Sequence, residues 1–566
     1  MFDPVWNKRI EESDRALDPL GMNRVNDRFL NDLLSGITTV TPRARYYSFY
    51  VWAVNEAGKN TTTLAQFKNK FYDLERVFMM SCIAHEQLVG KGTIHLDING
   101  SDKGRRVWRE SSQEINLNFG FFGNRLGGYG QYYQGAIARL GLTAMPDNTL
   151  FEQPSELGQA ICRQFETIAK NSGFKDLSRK KTVSKEELEK CGKNICLCTL
   201  KLSKANDRQS LREVFFPLKS SEGSVDFYRQ QTLALILLCC ETSAKHNYLL
   251  NDQLFLDACY YGQVGEKKVF PIVFPKSFAP TVLRWKIFRA HDYLAYSAEA
   301  LLSQFLALIA EQPSGATQED FVNKLSSEDA FLQFKSQINL KLPSSDFSQI
   351  SIGTLLDLLS KAQGFKAFTS DPIEISKQFD ESVNLKSSSC ERTAITVMED
   401  YFEEELTRPE LTVASWMILL AFIYQRFFWS HKTKQSQWGE FLIKNTNLSR
   451  GLSPATFIAS YDNLVQKNAS LLDFIKWFVE QYVIEQAKRI YEDKSFSFQY
   501  KPKCWFHKEE DRYIKERDYQ PGHRNARFES AINILEDLGL VTVSDLAIEL
   551  STDGTKLLQT TMGREP

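Results

Sequence analysis

Apolar residues recur at helical spacing along most of the chain. Tyr46, Tyr50 and Val54 fall on one stripe. They follow Thr41-Pro42, which predicts a helix start because threonine caps helices and proline at the first position loses no hydrogen bond. Further helices are predicted at 71–85, 226–240, 280–309, 411–428 and 470–491. We therefore expect a mainly α, multi-domain helical protein.

Strand signals are few. Phe496, Phe498 and Tyr500 alternate with polar residues, as in a half-buried strand, and 269–274 is a second candidate. Polar breaks with glycine and proline predict domain boundaries near 172, 312 and 495. The expected domains are an N-terminal helical domain at 1–172 with a winged-helix-like segment at about 110–172, a middle helical domain at 173–311, a helical domain at 312–494, and a C-terminal strand plus winged-helix-like domain at 495–566.

Two distant stretches share one order of features. Residues 132–142 read YYQGAIARLGL, and residues 527–541 read RFESAINILEDLGLV. In both, a helix ends at Leu-Gly-Leu, where Gly141 or Gly539 can adopt the left-handed conformation that stops a helix. A short strand, a polar turn with glycine and another helix follow. This order predicts two small winged-helix-like α/β units, and a generic helix–turn–strand coincidence is the alternative.

The charge balance limits the class of partner. The chain has 69 basic and 70 acidic residues, for a net charge of −1, which excludes a generally basic surface that coats nucleic acid but allows a local basic patch. The N-terminus shows no apolar run, and the apolar stretch at 411–424 is shorter than the ~20 residues that a bilayer requires. We expect a cytoplasmic protein without a membrane segment.

Motifs for catalysis are incomplete. The glycines between 120 and 135 lack the Lys-Ser/Thr of a P-loop, and His85-Glu86 lacks the second histidine of a zinc-protease helix. Glu266-Lys267-Lys268 weakly resembles the Glu-x-Lys of metal-dependent nucleases, with Asp257 as the nearest candidate for the missing aspartate. We therefore expect no catalytic and no cofactor-binding residues.

The ten cysteines are scattered, which predicts reduced and mostly buried thiols rather than a disulfide framework. Cys191, Cys196 and Cys198 have the spacing C-x4-C-x-C, but the sequence nearby offers no obvious fourth ligand for zinc. Cys504 and His507 have a spacing that would supply only two of the four ligands of a zinc site. The expectation is that the protein holds no metal ligand.

Basic residues mark the positions at which a partner could bind. Those near the N-terminus are interleaved with aromatic residues at 46–52, so they could stack bases and pair with phosphates, form a protein interface, or lie on the solvated face of a core helix. The helix at 527–538 carries several acids that would repel phosphate, which favours protein docking. The candidate partner or DNA contacts are Arg24, Arg28, Arg43, Arg45, Arg105, Arg106, Arg109, Arg524 and Arg527.

A family resemblance is carried by segments spread over most of the chain. They are LDPLGM at 17–22, LLSGITTVTPRARYYSF at 33–49, GGYGQYY at 127–133, CLC at 196–198 and LEDLGL at 535–540. They resemble helical proteins found beside SMC-like ATPases in bacterial immunity loci, in particular the accessory subunit of Lamassu-type plasmid- and phage-elimination systems. The resemblance implies a subunit that bridges an SMC-like ATPase, which senses aberrant DNA, and a nuclease. A terminal winged helix that grips an ATPase head, as in kleisins, would fit 527–561.

The sequence thus predicts a non-catalytic accessory subunit of a hetero-oligomeric immune complex that acts against phage or plasmid DNA. One alternative is a stand-alone winged-helix DNA-binding regulator. A second is a cryptic metal-dependent nuclease that uses Glu266 and Lys268.

Overall fold

The computed structural model describes most of the 566 residues. The described ranges are 12–13, 18–120, 126–147, 149–202, 206–217, 219–265, 269–338, 346–362, 372–381, 388–433, 452–497, 501–502 and 504–563. The chain forms two compact units, each built from separate stretches of sequence. The first unit comprises Met1–Phe29, Leu256–Gln263 and Val282–Arg524, and the second comprises Leu30–Phe255, Val264–Thr281 and Asn525–Pro566. The four consecutive domains remain a prediction.

Helices dominate both units, which confirms the mainly α class. The helices are α1 (Met22–Leu33), α2 (Arg45–Gly58), α3 (Leu64–Val89), α4 (Ser101–Glu110), α5 (Gln134–Arg139), α6 (Glu156–Asn171), α7 (Phe174–Leu177), α8 (Lys185–Ile195), α9 (Asn206–Phe215), α10 (Val225–Ala244), α11 (Asp252–Tyr261), α12 (Ala279–Glu311), α13 (Gln318–Leu325), α14 (Glu328–Ile338), α15 (Ile352–Ala362), α16 (Pro372–Glu381), α17 (Ser388–Glu403), α18 (Val413–Thr433), α19 (Pro454–Gln466), α20 (Leu471–Phe478), α21 (Glu485–Ser497), α22 (Phe528–Asp537) and α23 (Thr552–Thr561).

The strands are short and pair in twos. They are β1 (Glu12–Ser13), β2 (Glu114–Asn116), β3 (Thr143–Ala144), β4 (Gln153–Pro154), β5 (Thr182–Ser184), β6 (Gln263–Val264), β7 (Phe270–Pro271), β8 (Lys501–Pro502), β9 (Phe506–Glu509), β10 (Arg512–Lys515), β11 (Val541–Val543) and β12 (Ile548–Leu550). The pairs β2–β5, β3–β4, β9–β10 and β11–β12 are antiparallel, whereas β1–β8 is parallel.

The first unit is organised around α18. Nearly all of its residues from Val413 to Phe428 are buried, and it packs against α14, α16, α17 and α19. Trp416 stacks on Phe478 with ring centroids 5.7 Å apart, and Tyr424 donates a hydrogen bond to Asp462. The predicted core helix at 411–428 is therefore confirmed. Among the residues that the structure describes, Lys276–Glu311 and Pro409–Thr433 are long and apolar enough to cross a membrane, and both are mostly buried inside the protein.

The second unit is organised around α2. Its residues from Arg45 to Val54 are all buried, and it packs against α3, α6 and α9. Phe49 stacks on Phe78 of α3 at 3.9 Å, and Tyr46 stacks on Tyr50 at 5.2 Å. Burying a dense cluster of aromatic rings supplies much of the apolar area that stabilises such a core.

The predicted start of α2 is wrong by three residues. The Thr41 hydroxyl accepts a hydrogen bond from the Thr38 amide, so it closes a tight turn and does not cap a helix. The helix begins at Arg45, and a side chain from far along the sequence binds the preceding amide: Asp537 accepts a hydrogen bond from Ala44 at 3.0 Å. A distant cap of this kind leaves no local signal.

Two segments of the second unit have the same helix–hairpin–helix order. One runs from α5 through β3 and β4 to α6, and the other from α22 through β11 and β12 to α23. We call them the first and the second hairpin segment. The internal repeat predicted from the sequence is therefore confirmed as a repeated order of elements.

The hairpin segments also repeat the same hydrogen bonds. Gly141 and Gly539 have φ of +68° and +69°, and each follows the last turn of its first helix. Ser155 and Ser551 each cap the second helix, and their hydroxyls donate to the carbonyls of Gly141 and Gly539. The equivalence therefore extends from the helix ends to the caps.

A glycine follows each capping serine by three positions. A Cβ atom on Gly158 would lie 2.0 Å from the Leu142 carbonyl oxygen, and one on Gly554 would lie 2.0 Å from the Leu540 carbonyl oxygen. Only glycine lets the second helix approach the end of the first this closely.

Other sequence predictions have mixed outcomes. Helices cover 71–85, 226–240 and 280–309, and 470–491 is covered by α20, a π-helical turn at Val479–Ile484, and α21. The strand predicted at 496–500 is wrong at Phe496, which lies in α21, whereas Phe498 and Tyr500 lie outside the described residues. Within 269–274, only Phe270–Pro271 forms a strand.

We predict that Gly554→Ala lowers the thermal unfolding midpoint, because the added methyl group overlaps a backbone carbonyl and overpacking costs about 1–3 kcal/mol. The control is Gly135→Ala in α5, where a Cβ atom meets nothing within 4 Å. That control should leave the midpoint unchanged or raise it, since alanine favours helices. Equal midpoints for the two variants would contradict the close approach.

Candidate functional site

Arg43, a predicted contact residue, is buried in the second unit. Its Nε lies 2.6 Å from Asp97, and its Nη1 lies 3.1 Å from Asp537. Burial raises the pKa of Asp537 to about 6, although Arg43 and the Ala44 amide oppose the shift. This guanidinium joins the segment just before α2 to the end of α22 and is not presented to a partner.

Arg45 is also inside the protein. Its Nε lies 3.1 Å from Asp207, which is fully buried and also accepts a hydrogen bond from Ser48. Its Nη1 donates to the Asn194 carbonyl at 3.1 Å. The basic–aromatic helix therefore lies in the core, as one interpretation expected, but its arginines are paired with carboxylates rather than solvated.

Arg527 and Arg105 bind backbone carbonyls within the second unit. Arg527 donates to the Ile37 carbonyl at 2.8 Å and is itself buried. Arg105 donates to the His95 carbonyl at 2.7 Å and pairs with Glu86 at 3.0 Å. Both side chains therefore hold a neighbouring backbone segment in place, although the sequence places each of them in a short cluster of basic residues.

Arg524 and His523 belong to a charge cluster of the first unit. Arg524 pairs with buried Glu299, and its amide donates to Asp292 at 2.6 Å. The two ring nitrogens of His523 face Asp292 at 2.9 Å and Glu399 at 2.6 Å. Burial alone would lower the pKa of His523, but the two carboxylates outweigh burial and raise it to about 9.

The remaining predicted contacts lie nearer the surface. Arg24, Arg106 and Arg109 are exposed, and Arg28 is half-buried. Arg106 lies 4.0 Å from Glu110, and the Arg109 Nε donates weakly to the Arg105 carbonyl at 3.4 Å. Arg24 and Arg28 belong to the first unit, whereas Arg106 and Arg109 belong to the second.

The glycine-rich turn surrounds a carboxylate. The Gly128 amide donates to Glu75 at 2.9 Å, and Tyr50 donates to the same oxygen at 2.8 Å. Burial raises the pKa of Glu75 to about 7. In a phosphate-binding loop, such a backbone amide would donate to the phosphate. Here the Gly128 amide donates to a buried carboxylate of the protein itself. Gly123 lies outside the described residues.

Four metal-ligating side chains meet in the second unit, and we call them the His–Cys cluster: His85, His95, Cys196 and Cys198. One ligand atom from each lies within 4.8 Å of the others. His85 is on α3, and His95 is on a 3-10 turn at Thr93–Asp97. Both cysteines follow the end of α8. Cys196 and His95 are buried, with 0% and 2% of their surface exposed.

Contacts within the His–Cys cluster are short. The Cys198 sulfur lies 3.2 Å from Nδ1 of His85 and 3.4 Å from the Cys196 sulfur. Contact with Cys196 and burial raise the pKa of the Cys198 thiol to about 11. Nδ1 of His95 accepts a hydrogen bond from the Gly92 amide at 3.2 Å, and its Nε2 is buried without a hydrogen-bond partner among the described residues.

Sequence spacing could not assemble this cluster. The spacing C-x4-C-x-C indicates Cys196 and Cys198 as possible ligands, whereas the sequence around His85 matches only part of a zinc-protease motif. His85 and Cys198 are 113 positions apart, and His95 belongs to no motif. Cys191, the third cysteine of the C-x4-C-x-C spacing, is buried within α8 and does not belong to the His–Cys cluster.

Of two weaker candidates, the pair Cys504 and His507 belongs to no such group among the described residues, and the other candidate lies mostly outside them. His507 faces Glu509 at 3.0 Å and Glu516 at 2.7 Å, while the Cys504 thiol donates to the Phe506 carbonyl. Glu266, Lys267 and Lys268 lie outside the described residues. Asp257, the acid nearest to them in sequence, forms an ion pair with Arg289 at 2.7 Å.

We predict that protonated His523 stabilises the fold. Its folded-state pKa of about 9 lies above the ordinary value of about 6.5, so the stabilisation is complete below pH 6.5 and is lost as pH rises through 9. The free energy of unfolding should fall across this window by on the order of 3 kcal/mol, since one pKa unit corresponds to about 1.4 kcal/mol. His523→Gln should remove this component of the pH dependence, and a matched change at exposed His246 should not. Identical pH profiles for His523→Gln and the wild type would refute the assignment.

In comparisons with known proteins, no family model, no curated protein and no solved structure matches this chain.

Proposed function

We propose that the protein is a non-catalytic accessory subunit of an immune complex, bridging an SMC-like ATPase and a nuclease that act against phage or plasmid DNA. The resemblance to Lamassu-type accessory subunits suggests the partners. The observation that carries a docking role is the pair of equivalent hairpin segments, which we interpret as winged-helix-like units. Such units serve in proteins both as DNA readers and as protein-docking modules.

The tips of both hairpins expose apolar side chains. In the second hairpin segment, Leu546 is 79% exposed and Val543 is 41% exposed. In the first, Met145 and Leu150 are more than half exposed. Large apolar side chains that are exposed close together in sequence favour burial against a protein partner, since water solvates them poorly.

A cavity beneath the first hairpin supports the same role. Its volume is about 210 Å³, and Phe67, Tyr129, Met145 and Phe151 contribute to its apolar lining. An aliphatic or aromatic anchor from a partner fits such a lining, because binding pockets are mostly apolar with a few polar groups. Glu152 and Gln134 supply polar atoms at its wall.

A DNA-reading role receives less support from α22. Its apolar face is buried, and so is the adjoining Arg527. The outward positions include exposed Glu529 and half-buried Glu536, whose charges would repel phosphate. The stand-alone regulator is therefore the second candidate. Its signature would be duplex binding without a partner, weakening steeply with salt.

The first test is co-purification with the proposed partner. We expect this gene to lie beside genes for an SMC-like ATPase and a nuclease, and the tagged chain to retain that ATPase after co-expression. Leu546→Asp together with Val543→Asp should reduce retention by about tenfold or more, because a charge at a buried contact is costly. The control is Leu332→Asp in the first unit, where the side chain is 54% exposed. Equal retention by the two variants would argue against docking through this hairpin.

The second test addresses catalysis. The purified chain should neither hydrolyse ATP nor cleave plasmid DNA with magnesium, because we assign both activities to its partners. Should cleavage appear, Glu266→Ala distinguishes the alternatives. Loss of cleavage in that variant would establish the cryptic nuclease and overturn the proposal, whereas cleavage that Glu266→Ala leaves unchanged would discard that site.

A further inference from the structure

We propose that His85, His95, Cys196 and Cys198 bind one zinc ion in a tetrahedral, structural site. The inference stands on the geometry of the His–Cys cluster and is independent of the proposed function. It replaces the expectation that no cysteine binds metal, which rested on the lack of a fourth ligand near Cys191, Cys196 and Cys198 in the sequence.

The donor set selects the metal. Two thiolate sulfurs and two imidazole nitrogens form the Cys2His2 combination that structural zinc sites use, whereas magnesium and calcium prefer oxygen ligands. Four protein ligands complete a tetrahedron and leave no open position for water or substrate. The ion would therefore serve the fold rather than a reaction.

Two of the distances between ligand atoms are close to those of a zinc tetrahedron, and all four ligand atoms lie within 4.8 Å of one another, so the most separated ones approach by up to about 1 Å when an ion binds. Zinc–sulfur bonds of about 2.3 Å and zinc–nitrogen bonds of about 2.0 Å place tetrahedral ligand atoms roughly 3.3–3.8 Å apart. The Cys198 sulfur lies 3.2 Å from His85 Nδ1 and 3.4 Å from the Cys196 sulfur. Shifts of a few tenths of an ångström bring these contacts to the ideal values.

A second observation points to a ligand at this place. Nε2 of His95 is a buried polar atom that has no hydrogen-bond partner among the described residues, although His95 is only 2% exposed. Leaving a buried polar atom unpaired costs about 1–3 kcal/mol, so such atoms normally have a partner. A metal ion at the centre of the cluster would bind this nitrogen once its proton has moved to Nδ1.

Binding through Nε2 has a defined proton balance. Nδ1 of His95 accepts from the Gly92 amide, so in the neutral ring the proton is on Nε2. When zinc binds Nε2, that proton moves to Nδ1 and the Gly92 hydrogen bond is lost. Cys196 and Cys198 each release one proton to solvent, because zinc binds the thiolate form. Two Zn–S and two Zn–N bonds replace one backbone hydrogen bond and the thiol contacts.

The neighbouring residues hold the ligands in position. Arg105 donates to the His95 carbonyl and pairs with Glu86, the residue after His85. Arg45 donates to the Asn194 carbonyl, two residues before Cys196. Two of the arginines that the sequence marked as surface contacts therefore brace the segments that carry the ligands.

The ion would cross-link segments that are distant in sequence. It would join α3, the Thr93–Asp97 turn and the segment after α8, and so close a loop between positions 113 residues apart. Closing a long loop restricts the unfolded chain and thereby stabilises the fold. Removal of zinc should lower the unfolding midpoint of the second unit.

The first experiment measures the zinc content of the full-length chain, purified without a polyhistidine tag or chelator. We expect about one zinc per chain, since the four side chains complete a single site. Cys198→Ser and His95→Gln should each lower zinc retention at least fivefold after dialysis. Cys191→Ser is the matched control: this thiol lies on α8, is buried and is not a ligand, so its loss should leave the zinc content unchanged.

A spectroscopic measurement on the wild-type chain keeps the test valid if ligand variants fail to fold. Cobalt(II) substitution should give a thiolate charge-transfer band and the visible bands of tetrahedral cobalt. X-ray absorption at the zinc edge should show two sulfur and two nitrogen neighbours. The proposal would be overturned if wild-type protein from zinc-supplemented cells contained less than about a tenth of an equivalent of zinc. A disulfide between Cys196 and Cys198 in protein purified under reducing conditions would also overturn it.

Discussion

The carboxylate of Asp537 is the contact on which the second unit depends most. One of its oxygens faces Arg43, and the other accepts the Ala44 amide at the start of α2. The side chain is fully buried, so the charges that it meets were removed from water, and removing one partner of such a pair costs about 3–5 kcal/mol. The aromatic core of the second unit packs around α2. The contacts of Asp537 with Arg43 and Ala44 therefore fix the end of the helix that carries this core.

Buried charge recurs through both units. Arg45 meets Asp207 in the second unit, while Arg426 meets Glu391 in the first. Both of these arginines have a buried carboxylate partner, so arginines next to aromatic side chains do not by themselves indicate a basic surface. Specific internal pairs of this kind also restrict alternative packings of a core made largely of interchangeable aromatic rings.

Much of the fold could be predicted from periodicity. The long helices and the repeated hairpin segments leave local signals: apolar spacing, a glycine at the helix end and a serine before the next helix. The start of α2 could not be predicted, because its cap comes from Asp537. The His–Cys cluster could not be assembled for the same reason, since its histidines and cysteines come from different elements. The burial of Arg43 and Arg45 could not be predicted from the sequence, because composition does not reveal which carboxylates will pair with a given guanidinium.

The order of segments in the second unit affects how the protein is made. A ribosome produces α2 first, then the stretch at 282–524 that forms most of the first unit, and only afterwards the residues that contain Asp537. Arg43 and Asp537 are 494 positions apart, an interval of about 25–100 s at ordinary rates of translation. Throughout that interval the nascent chain holds an uncapped aromatic helix and an arginine without one of its carboxylate partners. The ion pair and the hydrogen bond that fix the start of α2 can therefore form only after nearly the whole chain has been synthesised.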